Sequence, residues 1–182
     1  MGILCGDSGK DRRCPPPAVN LELTVGLSGG LLQALDAGEL DLVLAKRGPG
    51  KDRGRLMRRE KLVWVGSDPA LTEPDRPLLL ILYPPPSISR ATGLETLERA
   101  GRSWRIVCTS SSFRGLNAAA RAGLGITIQG DGFVPAGLSE LPTRGDSSQV
   151  WPDRIRSCGS SKGFTDPASA LATAILDNAY RL

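Results

Sequence analysis

Gly26-Leu27-Ser28-Gly29-Gly30 spells G-x-S-x-G between an alternating segment and a helical one, where a hydrolase would carry its nucleophilic serine. Serine attacks only when a neighbouring base takes its proton. The chain has no histidine, and no lysine stands in a motif that would replace it. The run therefore reads as a helix start with Ser28 as N-cap. A helix start also presents unpaired N–H groups and a positive dipole end, so Ser28 is equally compatible with contact to an anion.

The other chemistry-bearing runs are weaker. Gly123-Leu124-Gly125 follows a helix instead of opening one, so it reads as a C-cap and not a dinucleotide fingerprint. Gly48-Pro49-Gly50-Lys51 shares only its final Gly-Lys with a phosphate loop. Ala45 and Asp52 occupy the places of the first glycine and the hydroxyl residue. Cys5, Cys14, Cys108 and Cys158 form no C-x-x-C pair, and without histidine a metal site has almost no ligands. They read as buried or incidental thiols of a reducing cytosol; Cys5 and Cys14 are close enough to oxidise together, though nothing demands it. No catalytic residue, metal or cofactor is expected, and no enzymatic activity.

Charge is local. Between Lys46 and Lys61 eight basic residues meet only Asp52 and Glu60, while the whole chain carries a net charge of +4. The stretch lacks interleaved aromatics and helix-turn-helix context, so a solvated loop is the first reading. Attraction of an anionic ligand and phosphate contact with nucleic acid remain alternatives.

The elements that must position these residues alternate between strand and helix. At 182 residues the chain fits one domain or two small lobes. Val19–Val25 alternates like a half-wet strand, a helix follows from Ser28 to a terminating Gly38, and Leu40–Ala45 is a covered strand. The expected product is a parallel β-α-β unit. After the basic stretch come a strand over Lys61–Gly66, a proline-rich turn over Ser67–Pro77 and a buried strand over Leu78–Tyr83. A helix over Leu94–Ala100, a strand over Trp104–Cys108, a helix ending at Ala122 and a strand over Ile126–Ile128 make a second unit. Pro135–Pro142 reads as loop, Gly145–Ser161 has no clean period, and Asp166-Pro167 opens a last helix to about Asn178. The class is α/β with a mainly parallel sheet. The longest apolar run, Leu78–Tyr83, is too short to span a bilayer, and no signal peptide is visible, so a cytoplasmic location without membrane contact is expected.

Asn20–Arg47 (NLELTVGLSGGLLQALDAGELDLVLAKR) followed by Glu60–Ser67 (EKLVWVGS) resembles the first lobe of the LysR-type effector-binding domain. Leu35–Leu42 is the most specific part. Pro77–Pro135 resembles its second lobe, with Ser110–Ile128 (SSSFRGLNAAARAGLGITI) carrying the likeness. The resemblance implies two Rossmann-like lobes of the type 2 periplasmic-binding-protein fold, with residues 1–66 and 137–182 in the first lobe and 67–136 in the second. Crossings would fall near Gly66-Ser67 and Pro135-Ala136. It further implies an effector held between the lobes by Ser28, Lys46, Ser111, Ser112, Gly125 and Ile126, and the helix starts at Ser28 and at Ser111 or Ser112, with Lys46 nearby, point to a small organic anion.

Three departures stand out. The helix-turn-helix of the family is absent, so DNA would be reached only through a segment this chain does not contain. Met1–Pro17 offers Ile3-Leu4, a polar run and three prolines where a strand and helix belong, which predicts an incomplete first lobe and a weakened homodimer. Gln149–Cys158 is a poor match to a first-lobe strand. These departures fit a truncated or frame-shifted regulator. A solute-binding receptor of the same fold is disfavoured without an export signal, and a small Rossmann-like enzyme without histidine or a cofactor motif.

Overall fold

The computed structural model describes residues 20–46, 54–142, 154–159 and 166–177. Two sheets organise them. In the first, β1 (Val43–Lys46), β2 (Arg55–Glu60) and β8 (Arg154–Gly159) run in the order β1-β8-β2, antiparallel throughout. The second holds β3 (Leu62–Gly66), β4 (Leu78–Leu82), β5 (Trp104–Thr109), β6 (Ile126–Gly130) and β7 (Ser139–Glu140), in the order β5-β4-β6-β3-β7. Only β5, β4 and β6 are parallel; β3 runs antiparallel to β6 and β7. Four helices accompany them: α1 (Ser28–Ala37), α2 (Ile88–Arg99), α3 (Phe113–Arg121) and α4 (Asp166–Asp177).

The inner strands β3, β4 and β6 of the second sheet are buried on both faces, and their sequence shows why. Leu62 and Trp64 of β3 join Leu80, Leu82, Ile126 and Ile128 in a core that includes Leu97 of α2. Val63 and Val65, the alternate residues, join Ile81 in a second core with Leu116 and Ala120 of α3. A strand covered by helices on both sides needs an unbroken apolar run, and LVWV and LLLIL supply it. The β4-α2-β5 crossover is the parallel unit expected in this part of the chain. Gly125 lets β6 approach β4: a Cβ there would lie 2.2 Å from the Leu79 carbonyl oxygen.

The first sheet departs from expectation. Asn20–Val25 joins no ladder among the described residues, and Leu21, Leu23 and Val25 are 69, 81 and 87% exposed. Alternation creates a two-faced ribbon, but a strand exists only where a neighbour takes its N–H and C=O groups. The parallel β-α-β unit is therefore not formed around α1. β1 pairs antiparallel with β8 instead, so the segment Gln149–Cys158, poorly patterned as it is, overlaps a strand that fills the centre of this sheet. The sheets are consequently less parallel than expected.

Three further corrections concern boundaries. The C-terminal half of the basic stretch is strand β2 and not loop, anchored by buried Met57 and Glu60. β3 belongs to the second sheet, so the chain changes sheets at Lys61 and not at Gly66-Ser67. β7, within the segment read as loop, pairs with β3, and the return follows it. The buried run of β3 is accommodated where both faces of a sheet are covered. Finally, α2 starts at Ile88, six residues before Leu94, because the Ser87 hydroxyl accepts from Arg90 N–H and caps it. The readings of Met1–Pro17, of Cys5 and Cys14 and of Arg47–Arg53 lie outside the described residues. So does the completeness of the first lobe that rests on them.

Candidate functional site

The parallel strands leave one end of the second sheet open. β4 is followed through α2 by β5 on one side, and the chain then crosses through α3 to β6 on the other. That reversal of strand order opens a crevice at the carboxyl ends of β4 and β6. A cavity of about 300 Å³ lies there. From the second-sheet side it is lined by Tyr83, Ser87, Ile88, Ser89, Phe113, Ile128, Gln129, Gly130 and Phe133. Gly26, Leu27, Ser28, Ala45 and Lys46 close it from the first.

Ser28 does not cap α1. The N-cap position is Leu27, which has no side-chain hydrogen bond to offer, and Ser28 is the first helical residue. Its Oγ accepts instead from the backbone N–H of Lys46, 3.0 Å away, tying the start of α1 to the end of β1. The first turn of α1 thus faces the cavity without a side-chain cap, with its dipole unneutralised. Gly38 ends the helix as expected, in the left-handed region at φ 78°. Ser28→Ala removes the acceptor from a half-buried amide and should cost about 1–2 kcal/mol of stability. Urea unfolding of the variant checks this, and an unchanged midpoint would refute the tie.

Lys46 lines the cavity, but its charge is spoken for. Its Nζ lies 3.3 Å from Glu60 Oε2, and the Glu60 side chain is 1% exposed. Gly130 closes over that carboxylate: a Cβ there would stand 2.2 Å from Glu60 Cδ. Among the described residues no other charged side chain lines the cavity. Burial pushes the Tyr83 phenol above its usual range, so it remains a protonated donor at neutral pH.

Of the six residues expected to contact a ligand, only Ser28 and Lys46 line this cavity. Ser112 caps α3, accepting from Gly115 N–H at 3.3 Å, and Ser111 is exposed beside it; the next residue, Phe113, is the one that reaches the cavity. Gly125 is pressed against Leu79, and Ile126 is fully buried in the core.

Gln129 escaped the sequence reading. It is 6% exposed, lies opposite Val63 in the ladder and lines the cavity. Neither its Nε2 nor its Oε1 has a hydrogen-bond partner among the described residues. A buried carboxamide left unsatisfied costs about 1–3 kcal/mol. The available signal was a glutamine directly after the strand run Ile126–Ile128, since a buried polar residue is the informative exception.

The LysR substrate binding domain family matches residues 16–149. The chain belongs to that family. It is 34% identical over 125 residues to the HTH-type transcriptional regulator DgdR of Burkholderia cepacia, covering 68% of this chain and 42% of that protein. It is 28% identical over 113 residues to the HTH-type transcriptional regulator PecT of Dickeya dadantii (strain 3937), covering 62% and 36%. The chain thus spans less than half the length of these curated relatives.

Solved structures agree on the fold. The apo regulatory domain of HypT from Salmonella typhimurium superposes with a TM-score of 0.69 at 15% identity, covering 92% of this chain and 86% of that one. The effector binding domain of QuiR in complex with shikimate gives 0.65 at 13% identity, covering 86% and 79%. The fold is that of LysR regulatory domains, like the type 2 periplasmic binding proteins. This is a regulator's effector-binding family, not an enzyme family. No helix among the described residues is long and apolar enough to cross a membrane.

Proposed function

We propose that this chain is the effector-sensing part of a LysR-type transcriptional regulator, holding a small organic acid in the cavity between its two sheets. The observation that carries the reading is the cavity itself. It is lined from both sheets, it is mostly apolar, and it meets the uncapped first turn of α1. Free amides at a helix start suit a carboxylate without any formal positive charge, so the anion partner becomes α1 and not Lys46. Leu27, Ile88, Phe113 and Phe133 would pack around the ligand's apolar body. Occupancy from both sides gives a ligand differential affinity for the closed arrangement of the lobes, which is what a sensor requires.

In this reading the output reaches DNA through a helix-turn-helix portion of the kind the names of the curated relatives carry, in the cytoplasm. Self-association as a weakened homodimer belongs to the same proposal, and it rests on the three prolines that the sequence places in Met1–Pro17. The test is a thermal-shift screen of aromatic and aliphatic carboxylic acids, shikimate among them. A ligand at a hundred times its Kd should add about 2.7 kcal/mol of stability. A screen in which acids give no shift while their methyl esters do would overturn the anion assignment. Ester hydrolysis abolished by Ser28→Ala would overturn the non-enzymatic reading.

A further inference from the structure

Resting on that reading, we propose that Gln129 selects the ligand: the acid carries a second polar group, a hydroxyl or an amide, that both donates and accepts. A carboxylate on α1 accounts for only part of the polar lining of the cavity. Gln129, also in the lining, is nine-tenths buried, and its amide has neither a donor nor an acceptor partner among the described residues. None of the other polar residues that line the cavity, Ser28, Lys46, Tyr83, Ser87 and Ser89, bonds to that amide. An apolar ligand would leave both amide atoms unsatisfied after closure, and a second carboxylate would satisfy only Nε2. Hydroxyls and amides complement both atoms. A site built around a buried polar group discriminates strongly against the analogue that lacks the matching group.

The position also bears a stability signature. An unpartnered amide at the end of β6 does nothing for the unliganded fold, and the opposing Val63 belongs to an apolar core. A near-isosteric apolar replacement should therefore stabilise the empty protein while damaging recognition, the trade expected of a binding residue.

The experiment uses the full chain and isosteric pairs in which hydroxyl replaces methyl: the three hydroxybenzoates against the three toluates, and lactate against isobutyrate. Binding is followed by thermal shift and calorimetry for wild type, Gln129→Met and Gln129→Leu. Wild type should prefer the hydroxylated member of at least one pair by about tenfold or more. Both variants should lose that preference or reverse it, and their unliganded Tm should rise by roughly 2–6 °C. Acids that bind with no preference within any pair, or a preference that survives Gln129→Met, would overturn the inference and leave the acid site standing. A fall in the unliganded Tm of both variants would also overturn it, because the amide would then be structural. If no acid of either kind binds wild type, the acid-site reading itself fails.

Discussion

Replacing Gly125 with alanine should cost about 3 kcal/mol or more, enough to leave much of the protein unfolded at ambient temperature. The added Cβ would lie 2.2 Å from the Leu79 carbonyl oxygen and 2.8 Å from its carbon. Both are backbone atoms of β4, an inner strand of the larger sheet next to central β6, so no side chain can swing away. Relief requires parting β4 from β6, where Leu80 faces Ile126 in the ladder and both residues are fully buried. Overpacking typically costs about 1–3 kcal/mol, and a clash with fixed backbone lies at the upper end or beyond. Gly30 supplies the control. It sits inside α1, nothing lies within 4 Å of its virtual Cβ, and Gly30→Ala should stabilise by about 0.4–1 kcal/mol. Urea unfolding followed by circular dichroism measures both. A Gly125→Ala protein as stable as wild type would show that β4 and β6 are not packed as described.

The second large effect concerns the ion pair. Lys46→Met leaves the Glu60 carboxylate, 1% exposed, without the cation 3.3 Å away, and should destabilise by about 3–5 kcal/mol. The cost comes from removing the countercharge of a buried carboxylate, not from losing a strong bond. Adding Glu60→Gln to Lys46→Met should therefore recover most of the loss, because neither charge then remains. The pair also connects β1 to β2 around β8, and Gly130 of the other sheet closes on it. A double variant no more stable than Lys46→Met alone would mean that Glu60 matters through its shape and not its charge.

Both effects bear on how far the sequence could be read. Local patterns sufficed wherever a segment is buried by its own composition. LVWV, LLLIL and the run from Trp104 were read as strands, and each is one; the helix to Ala122 with its serine cap, the Gly38 terminus and the opening at Asp166-Pro167 likewise match. These depend on neighbours within a few residues, which is the range over which periodicity and capping act. The resemblance of Leu35–Leu42 and Ser110–Ile128 carried the family.

What the tertiary structure decided were the choices among distant partners. Asn20–Val25 has the alternation of a strand and joins no ladder among the described residues, while Arg154–Gly159 has little pattern and takes the middle of a sheet. Ser28 stands where an N-cap would, yet its hydroxyl goes to an amide eighteen residues away. Lys46, read as a ligand's counter-charge, meets Glu60 instead, a residue counted only as part of a charged loop. Gln129 lay just past the strand read over Ile126–Ile128 and drew no notice, and only the packing around it leaves its amide without a partner among the described residues. Hydrogen bonds, ion pairs and burial are settled between residues far apart in sequence, so a single chain read locally can name the groups but not which of them are already spent.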